Sequence, residues 1–164
     1  MGTADELVDV VDEHDRVVRV ATRGEMREDR LRHRTVFIVV MSSSGDVLVH
    51  RRADHKDVWP GRWDLAAGGV LAAGECYDEG AVRELAEELG IEDVAFERLG
   101  SGTYEDADVA EIATVYRVRW DGRVVLVDGE VAEARWMTRE AVQRGAAGAL
   151  DFVPDSVSLV LPLL

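Results

Sequence analysis

One short stretch of the chain places acidic side chains at helical spacing. Residues 69–91 read GVLAAGECYDEGAVRELAEELGI and contain the glutamates Glu84, Glu87 and Glu88. Residues at positions i, i+3 and i+4 share one face of a helix, so these carboxylates are expected to lie together. Like charges repel at that spacing, and a bound cation would turn the repulsion into attraction. Carboxylate oxygens are hard ligands, so the pattern predicts a site for Mg²⁺ or Mn²⁺ and not for zinc.

The residues around the glutamates predict the helix that carries them. The segment 77–89 has no proline and is rich in Ala, Leu, Glu and Arg, which favours a helix. Gly90 follows the last apolar residue, where a left-handed cap is expected. Arg83 is four residues before Glu87 and eight after Glu75, so it could pair with either and fix the carboxylates in position. The face opposite the glutamates is predicted to pack on a sheet through Val82, Leu85, Ala86 and Leu89.

The spacing in residues 69–91 resembles the Nudix box, G-x5-E-x7-R-E-U-x-E-E-x-G-U, where U is a bulky apolar residue. This resemblance implies a hydrolase that cleaves diphosphate linkages with a divalent metal. The metal ligands that it implies are Glu84, Glu87 and Glu88, one of which is a candidate for activating water, together with the carbonyl of Gly69. Glu75 with Arg83 is then a supporting pair. The alternative to a metal site is that these glutamates form only a solvated acidic face of a helix. The presence of the whole spaced motif disfavours that alternative.

Composition limits the classes of function. The length of 164 residues predicts a single domain over residues 1–164 with a real core. The net charge of −14 argues against a nucleic-acid or anionic-membrane binder, and no apolar run is long enough to span a bilayer. The acidic first 20 residues do not read as a signal peptide. The single cysteine, Cys76, is interpreted as an incidental thiol, and we expect a cytoplasmic protein with a small-molecule substrate.

A pass along the chain predicts one mixed architecture. Residues 1–30 are expected to form a β-hairpin and then a short polar helix or loop. Further strands are predicted at 35–41, 47–51, 63–67, 95–104, 109–120 and 131–137, with helices at 139–144 and 154–164. Strands around one central helix, with helices at the edges, indicate an α/β (α+β) fold. The Nudix resemblance implies the same α/β/α sandwich, with a mixed sheet and a central catalytic helix at the box, residues 69–91.

Outside the box, the chain resembles the isopentenyl-diphosphate isomerase branch of the Nudix family over residues 6–164. The matching runs are Leu31-Arg32-His33-Arg34, Arg51-Arg52-Ala53-x-x-Lys56, Trp59-Pro60-Gly61-x-Trp63 and Phe152-x-Pro154. Departures argue against the isomerase reaction, because Gly68 replaces its cysteine, Val70 a metal-binding histidine and Asp155 a late tryptophan. The isomerase reaction protonates and deprotonates an alkene, which needs an acid and a base on opposite faces of it, and the expected thiol is missing here. We therefore interpret the chain as an isomerase-like scaffold that carries a hydrolase box.

The isomerase resemblance also implies residues that contact substrate. Arg52 and Lys56 match positions that hold the diphosphate, although two surface cations would look the same. Glu111 matches a later acid on the isomerase metal and is a candidate catalytic base, with competitors on the same turn at Glu105, Asp106 and Asp108. Trp59 and Trp63 could stack on a base or prenyl group, or simply pack in the core. His33 matches a metal ligand whose partner is lost, so a structural role is favoured.

Two functions of different class follow from these residues. The first is a Mg²⁺-dependent hydrolase of an organic diphosphate, such as a nucleoside diphosphate linked to another moiety, in which water attacks phosphorus. The second is a non-catalytic module that senses a diphosphate ligand, which the intact box disfavours. The sequence does not identify the substrate. A homodimer could form through the N-terminal hairpin or residues 159–164, but core packing explains both segments equally well.

Overall fold

The computed structural model describes residues 3–164 as one mixed sheet with helices on both faces. Within these residues the strands are β1 (Leu7–Val11), β2 (Val17–Thr22), β3 (His33–Met41), β4 (Val47–Arg52), β5 (Trp63–Asp64), β6 (Ala67–Val70), β7 (Glu97–Glu105), β8 (Ala110–Arg119) and β9 (Val131–Met137). The α-helices are α1 (Arg23–Glu28), α2 (Tyr77–Leu89), α3 (Arg139–Arg144) and α4 (Pro154–Leu159). None of the helices in this range is long and apolar enough to cross a membrane.

Strand β3 is the centre of the sheet. It runs parallel to β8 over its whole length and antiparallel to β6, and it meets β1 and β4 at its two ends. Strand β7 extends the sheet beyond β8, and β4 continues it through β5 and β9. Every residue of β3 except Arg34 is buried, as the dense β-branched sequence predicts.

The two faces of β3 belong to two different cores. Val36, Ile38 and Val40 pack with Leu85 and Leu89 of α2 on one face. On the other face lies the apolar cluster Phe37, Val39, Met41, Val115, Phe152 and Val160, which includes the C-terminal segment. Because successive side chains of a strand alternate between faces, one strand can serve both cores. The predicted α/β/α sandwich with a mixed sheet is confirmed.

Three details of the predicted elements were wrong. Val82 was expected to pack on the sheet, but it is 55% exposed. The buried arc of α2 instead runs from Glu84 through Leu85 to Leu89, because the helix turns its glutamate side toward the sheet. The predicted strand at residues 63–67 is split into β5 and β6. The predicted C-terminal helix ends at Leu159 and is followed by a short 3₁₀ turn, because Pro162 has no N–H to continue the α-helical hydrogen bonds.

Candidate active site

The Nudix-box residues line a cleft of about 630 Å³ between α2 and β6. We call it the box cleft, and its wall includes Lys56, Gly69, Arg83, Glu84, Glu87 and Glu88. Helix α2 begins after Cys76, where the side chain of Glu79 accepts a hydrogen bond from the Cys76 N–H at 3.2 Å. It ends at Gly90, which adopts the predicted left-handed conformation with φ of 65°. Both ends of the helix that carries the glutamates are therefore fixed by local interactions.

Arg83 connects the acidic groups of the box cleft. Its Nε and Nη2 donate to the two carboxylate oxygens of Glu75 at 2.7 and 2.8 Å. Its Nη1 donates to Glu84 at 2.8 Å and to Glu87 at 3.2 Å. The sequence left open whether Arg83 pairs with Glu75 or Glu87, and it pairs with both. The side chain thus orients three carboxylates at once.

Of the three glutamates on α2 that are candidate metal ligands, Glu84 and Glu88 are buried. Glu88 is 5% exposed and accepts a hydrogen bond from the Gly68 N–H at 3.3 Å. Burial, followed by the charge of Glu84, raises the pKa of Glu88 well above its usual value. Burial also raises the pKa of Glu84, although Arg83 opposes the shift. Buried carboxyl groups that repel each other favour a bound proton or a bound cation.

Gly69 brings the backbone of β6 against Glu84. A Cβ atom at this position would lie 2.6 Å from Glu84 Oε1, closer than any side chain could approach. Glycine therefore lets the strand run this close to the carboxylate without displacing it. The contact places the backbone of Gly69 beside Glu84, as a shared role in holding a cation would need.

The donor set of the box cleft fits a hard divalent cation after a small exchange of partners. Among residues 3–164, no three His, Cys, Asp or Glu side chains are already spaced to hold a metal. Glu84 and Glu87 are instead bound to Arg83. The acids are adjacent and carboxylate-only, which suits Mg²⁺ or Mn²⁺. A cation would have to replace Arg83 as the partner of Glu84 and Glu87, while Arg83 keeps its two bonds to Glu75.

A second, smaller cavity of about 60 Å³ adjoins the box cleft along β6. We call it the side chamber, and its wall includes Thr35, Arg52, Trp59, Glu111 and Asp155. Lys56 and Gly69 line both cavities. The structure therefore divides the predicted site residues, because Arg83, Glu84, Glu87 and Glu88 line the cleft whereas Arg52, Trp59 and Glu111 line the chamber.

The predicted cations of the site are held by protein groups. Lys56 forms an ion pair with Glu130, which also lines the box cleft. Arg52 donates from Nε and Nη2 to the carbonyl of Val58 at 3.2 and 2.9 Å. Since Lys56 lines both cavities, it is the better placed of the two to contact a diphosphate in the cleft.

Comparison with known proteins agrees with this geometry. The family model of the NUDIX domain matches residues 31–156. The chain belongs to the Nudix hydrolase family. It is 43% identical over 162 residues to the "Uncharacterized Nudix hydrolase SCO1686" of Streptomyces coelicolor, which covers 96% of this chain and 88% of that protein. It is 40% identical over 152 residues to the "Uncharacterized Nudix hydrolase YfcD" of Escherichia coli K12, which covers 93% of this chain and 83% of that protein.

Solved structures show the same fold. The crystal structure of DR0079 from Deinococcus radiodurans superposes with a TM-score of 0.81 at 27% identity, over 93% of this chain and 96% of that one. The NUDIX domain of Shewanella oneidensis NrtR, solved with ADP-ribose, gives a TM-score of 0.66 at 18% identity, over 87% of this chain and 96% of that one. This Nudix hydrolase therefore acts on diphosphate bonds, and its family generally uses divalent metals. The isomerase-like branch stays an interpretation of the sequence.

Glu111 of this Nudix hydrolase lies on the opposite face of the sheet from the box helix. It pairs with His33 in the parallel register of β3 and β8, so it lies on the face of β3 that points away from α2. Burial raises the pKa of Glu111 to about 7, although a hydrogen bond from Asp155 opposes the shift. Burial and the charge of Glu111 raise the pKa of Asp155 well above its usual value. The two carboxyls therefore compete for a proton and titrate as a pair.

The remaining predicted residues have simpler surroundings. Of the four candidate late acids, Glu111 alone lines either cavity, and Glu105 binds Arg30 at 3.1 Å. Trp59 meets Tyr104 edge to face with 6.2 Å between ring centroids, which is packing that still leaves it on the chamber wall. His33 is buried with its Nδ1 2.9 Å from the Leu31 carbonyl, and burial lowers its pKa to about 4. A neutral, structural His33 agrees with the sequence interpretation.

Sequence reasoning missed several residues of these cavities, among them Asp155, Thr35 and Glu130. Asp155 was noted only as the replacement of a tryptophan, and Thr35 and Glu130 were not singled out. Thr35 lies in a strand that reads as plain core, and Glu130 in a loop with no motif. The acidic residue at position 155 was the available signal, because it lies in a segment predicted to pack on the core, and a buried carboxylate needs a partner.

Proposed function

We propose that this Nudix hydrolase is a Mg²⁺-dependent enzyme that cleaves a small organic diphosphate, such as a nucleoside diphosphate linked to another moiety, by attack of water on phosphorus. The observation that carries the proposal is the box cleft, where Arg83, Glu84, Glu87 and Glu88 converge on the backbone of Gly69. Mn²⁺ would suit the same ligands. We also infer that residues 1–164 form one Nudix domain, since the described residues share one sheet.

Each residue of the box cleft has a distinct proposed role. Glu84, Glu87, Glu88 and the Gly69 carbonyl would hold the cation, which would neutralise charge on the phosphoryl oxygens and make the attacking water more acidic. Arg83 keeps the carboxylates oriented through its bonds to Glu75. Lys56 contacts the diphosphate once the substrate displaces Glu130, and Arg52 and Trp59 border the bound substrate from the side chamber.

The proton of the attacking water has two candidate acceptors. Glu84 lines the box cleft itself, whereas Glu111 lines the side chamber across β6. A general base must lie within hydrogen-bond reach of the proton that it removes, directly or through one water. The geometry therefore favours Glu84 for this step and leaves Glu111 as a group beside the substrate.

The test is phosphate release across a panel of nucleotide, sugar, coenzyme and prenyl diphosphates, with Mg²⁺ and a coupled phosphatase. We expect turnover of one class, and we expect Glu88→Gln to lower it by about 10²-fold or more because it removes a metal ligand. The matched control is Glu92→Gln, an exposed glutamate just beyond α2. A wild-type rate in Glu88→Gln would sink this mechanism, and tight binding without turnover would favour the sensing module.

A further proposal concerns assembly. Strand β2 is an edge strand whose Val17, Val18 and Val20 are between 49% and 60% exposed. Exposed apolar edge strands can pair with a second chain. A homodimer through the N-terminal hairpin would be visible by light scattering as twice the chain mass, and Val18→Lys should return it to the monomer.

A further inference from the structure

Strand β1 carries one acidic residue, Asp9, in the otherwise apolar sequence LVDVV. Asp9 is only 7% exposed. A carboxylate is seldom buried, because it loses its hydration and must find partners inside the protein. None of the roles proposed for the box cleft uses Asp9, so the partners that it finds indicate what it does.

The main partner of Asp9 is the turn that leads into the box helix. Its Oδ2 accepts a hydrogen bond from the Gly74 N–H at 2.9 Å. Gly74 has a φ of 79°, a left-handed conformation that glycine adopts without strain. The Ala73 N–H donates to the Leu7 carbonyl at 2.8 Å, so two successive N–H groups of the turn are bound to β1. The guanidinium of Arg34 lies 3.9 Å from Asp9 and offsets part of its charge.

The same turn positions Glu75, which comes next in the chain and holds Arg83. The Glu75 N–H donates to the Ala72 carbonyl at 3.0 Å, and Glu75 Oε2 accepts from the Ala72 N–H at 2.9 Å. Both carboxylate oxygens of Glu75 accept from Arg83, which also donates to Glu84. A continuous series of contacts therefore runs from Asp9 through the turn and Arg83 to the box glutamates.

We propose that Asp9 is a positioning residue of the cation site. By fixing the turn before Glu75, it sets the place from which Glu75 holds Arg83. Arg83 in turn orients Glu84 and Glu87. The inference rests on the proposed function, since it assigns the cation to the box glutamates. A residue that orients metal ligands changes the affinity of the site for the metal, although it does not touch the metal itself.

A second contact holds the other end of the turn independently of Asp9. The hydroxyl of Tyr77, the first residue of α2, donates to Asp15 Oδ2 at 3.1 Å. Arg34 donates to Asp15 Oδ1 and to the Asp15 carbonyl, both at 2.7 Å, and so fixes Asp15 in place. Because the start of the helix stays held at Tyr77, loss of the Asp9 carboxylate should displace the turn without unfolding α2.

The test measures the affinity for Mn²⁺ by electron paramagnetic resonance, without substrate. Asp9→Val removes the acceptor and keeps a side chain that suits a strand. We expect it to raise the dissociation constant for Mn²⁺ by about tenfold, the low end of the range for residues that orient metal ligands. Asp9→Asn keeps one carbonyl oxygen as an acceptor, so it should bind Mn²⁺ within about twofold of wild type.

Two further variants separate positioning from stability. Val10→Ala is the matched control, because Val10 is a buried neighbour whose side chain lies on the opposite face of β1. It should lower the midpoint of thermal unfolding and leave the affinity for Mn²⁺ unchanged. In Arg83→Met the route to the metal ligands is already broken, so adding Asp9→Val should weaken Mn²⁺ binding no further.

Several outcomes would overturn the proposal. Wild-type affinity for Mn²⁺ in folded Asp9→Val would leave Asp9 a stabilising residue only, and an equal loss in Val10→Ala would attribute the effect to stability. An equal loss in Asp9→Asn would attribute it to charge and not to the hydrogen bond.

Circular dichroism checks that each variant folds, and Asp9→Ala removes the same acceptor with less bulk if Asp9→Val does not fold. A wild-type protein that binds no Mn²⁺ would refute the proposed metal site together with this inference. Wild-type affinity in the acceptor-free variants would refute the role of Asp9 alone and leave the proposed function in place.

Discussion

The box cleft and the side chamber lie on the two sides of β6 and differ in how their polar groups are satisfied. In the cleft, Arg83 bonds to Glu75, Glu84 and Glu87, and Glu88 is bonded to the Gly68 N–H. In the chamber, two buried carboxyls, Glu111 and Asp155, are hydrogen-bonded to each other, and the Thr35 hydroxyl donates to Glu111.

The contrast teaches that the two cavities are prepared for different kinds of ligand. The cleft holds a rigid set of charges that must exchange one partner, Arg83, for a cation. The chamber instead holds two carboxyls whose pKa values are raised by burial, so a proton takes the place there that a cation would take in the cleft.

Replacing Arg83, which connects the carboxylates of the cleft, should give the largest effect on turnover. Arg83→Met would remove the guanidinium that bonds to Glu75, Glu84 and Glu87. We expect turnover to fall by about 10²-fold or more, because the metal ligands lose their orientation. The side chain of Arg83 is 33% exposed, so solvent screens part of the loss and the midpoint of thermal unfolding should fall by only about 5 °C.

The control for this change is Arg16→Met, which removes a similar ion pair with Asp12 from an exposed turn. It should leave turnover and the unfolding midpoint close to wild type. Steady-state kinetics and differential scanning calorimetry on the two variants make the comparison. If Arg83→Met keeps wild-type turnover, the cleft does not depend on this network.

The pH dependence of stability should separate the two cavities. Glu84, Glu88, Glu111 and Asp155 all have pKa values raised by burial, so the folded protein binds their protons more tightly than the unfolded chain does. Their contribution to stability is present at about pH 4.5 and is lost as the pH rises through the folded-state pKa values, about 7 for Glu111. The metal-free protein should therefore lose stability between about pH 5 and 8.

Mg²⁺ should separate the contributions of the two cavities to this dependence of stability on pH. A cation bound to Glu84 and Glu88 stabilises their ionised forms, so saturating Mg²⁺ should abolish the part of the slope that comes from the cleft. The part from the chamber should persist with Mg²⁺ and should be reduced in Asp155→Asn. Thermal unfolding from pH 5 to 8, with and without Mg²⁺, measures both parts as differences between variant and wild type. A slope that Mg²⁺ leaves unchanged would contradict the assignment of the cation to the cleft.

The cleft could be predicted from sequence because its parts are close along the chain. Residues 69–91 carry the glycine, the glutamates, Arg83 and the cap at Gly90, and helical spacing is enough to place them. The bounds of α2, α3 and β9 were predicted for the same reason. Val82 was misplaced because spacing alone gives the relative positions of side chains around a helix, not the rotation of that helix on the sheet.

The chamber could not be predicted because its residues meet only after folding. Thr35 and Glu111 come together through the parallel pairing of β3 with β8, and Asp155 arrives with α4. Resemblance to the isomerase branch pointed to Glu111, Arg52 and Lys56 as single positions. It did not show that Glu111 and Arg52 lie across β6 from the box glutamates, a fact that depends on strand register.

A smaller effect, on KM, is expected at Glu130, which competes with the substrate diphosphate for Lys56. Glu130 forms an ion pair with Lys56, so a diphosphate must displace one carboxylate to reach that ammonium. Glu130→Gln should lower KM by about three- to tenfold and leave kcat unchanged, because it frees Lys56 without touching the cation ligands. The control is Glu133→Gln, which alters an acid on β9 beside Arg51. An unchanged KM would show that Lys56 does not contact the substrate.

The smallest effect compares two buried threonines on the adjacent strands β3 and β8, Thr35 and Thr114. The hydroxyl of Thr114 lies 3.2 Å from Ser101 Oγ and 3.5 Å from Arg98 Nη2, whereas that of Thr35 donates to Glu111 in the side chamber. Thr114→Val should lower the free energy of unfolding by about 1 kcal/mol at any pH between about 5 and 8, the usual worth of a hydrogen bond between neutral groups.

Thr35→Val should lower the free energy of unfolding by about 1 kcal/mol at about pH 8 and by less at about pH 5, because its hydroxyl favours the ionised form of Glu111, whose pKa is about 7. Urea unfolding of the two variants at both pH values, at equal slope, measures the difference as a shift in midpoint. A cost of Thr35→Val that is the same at both pH values would show that the Thr35 hydroxyl does not bond to the Glu111 carboxylate.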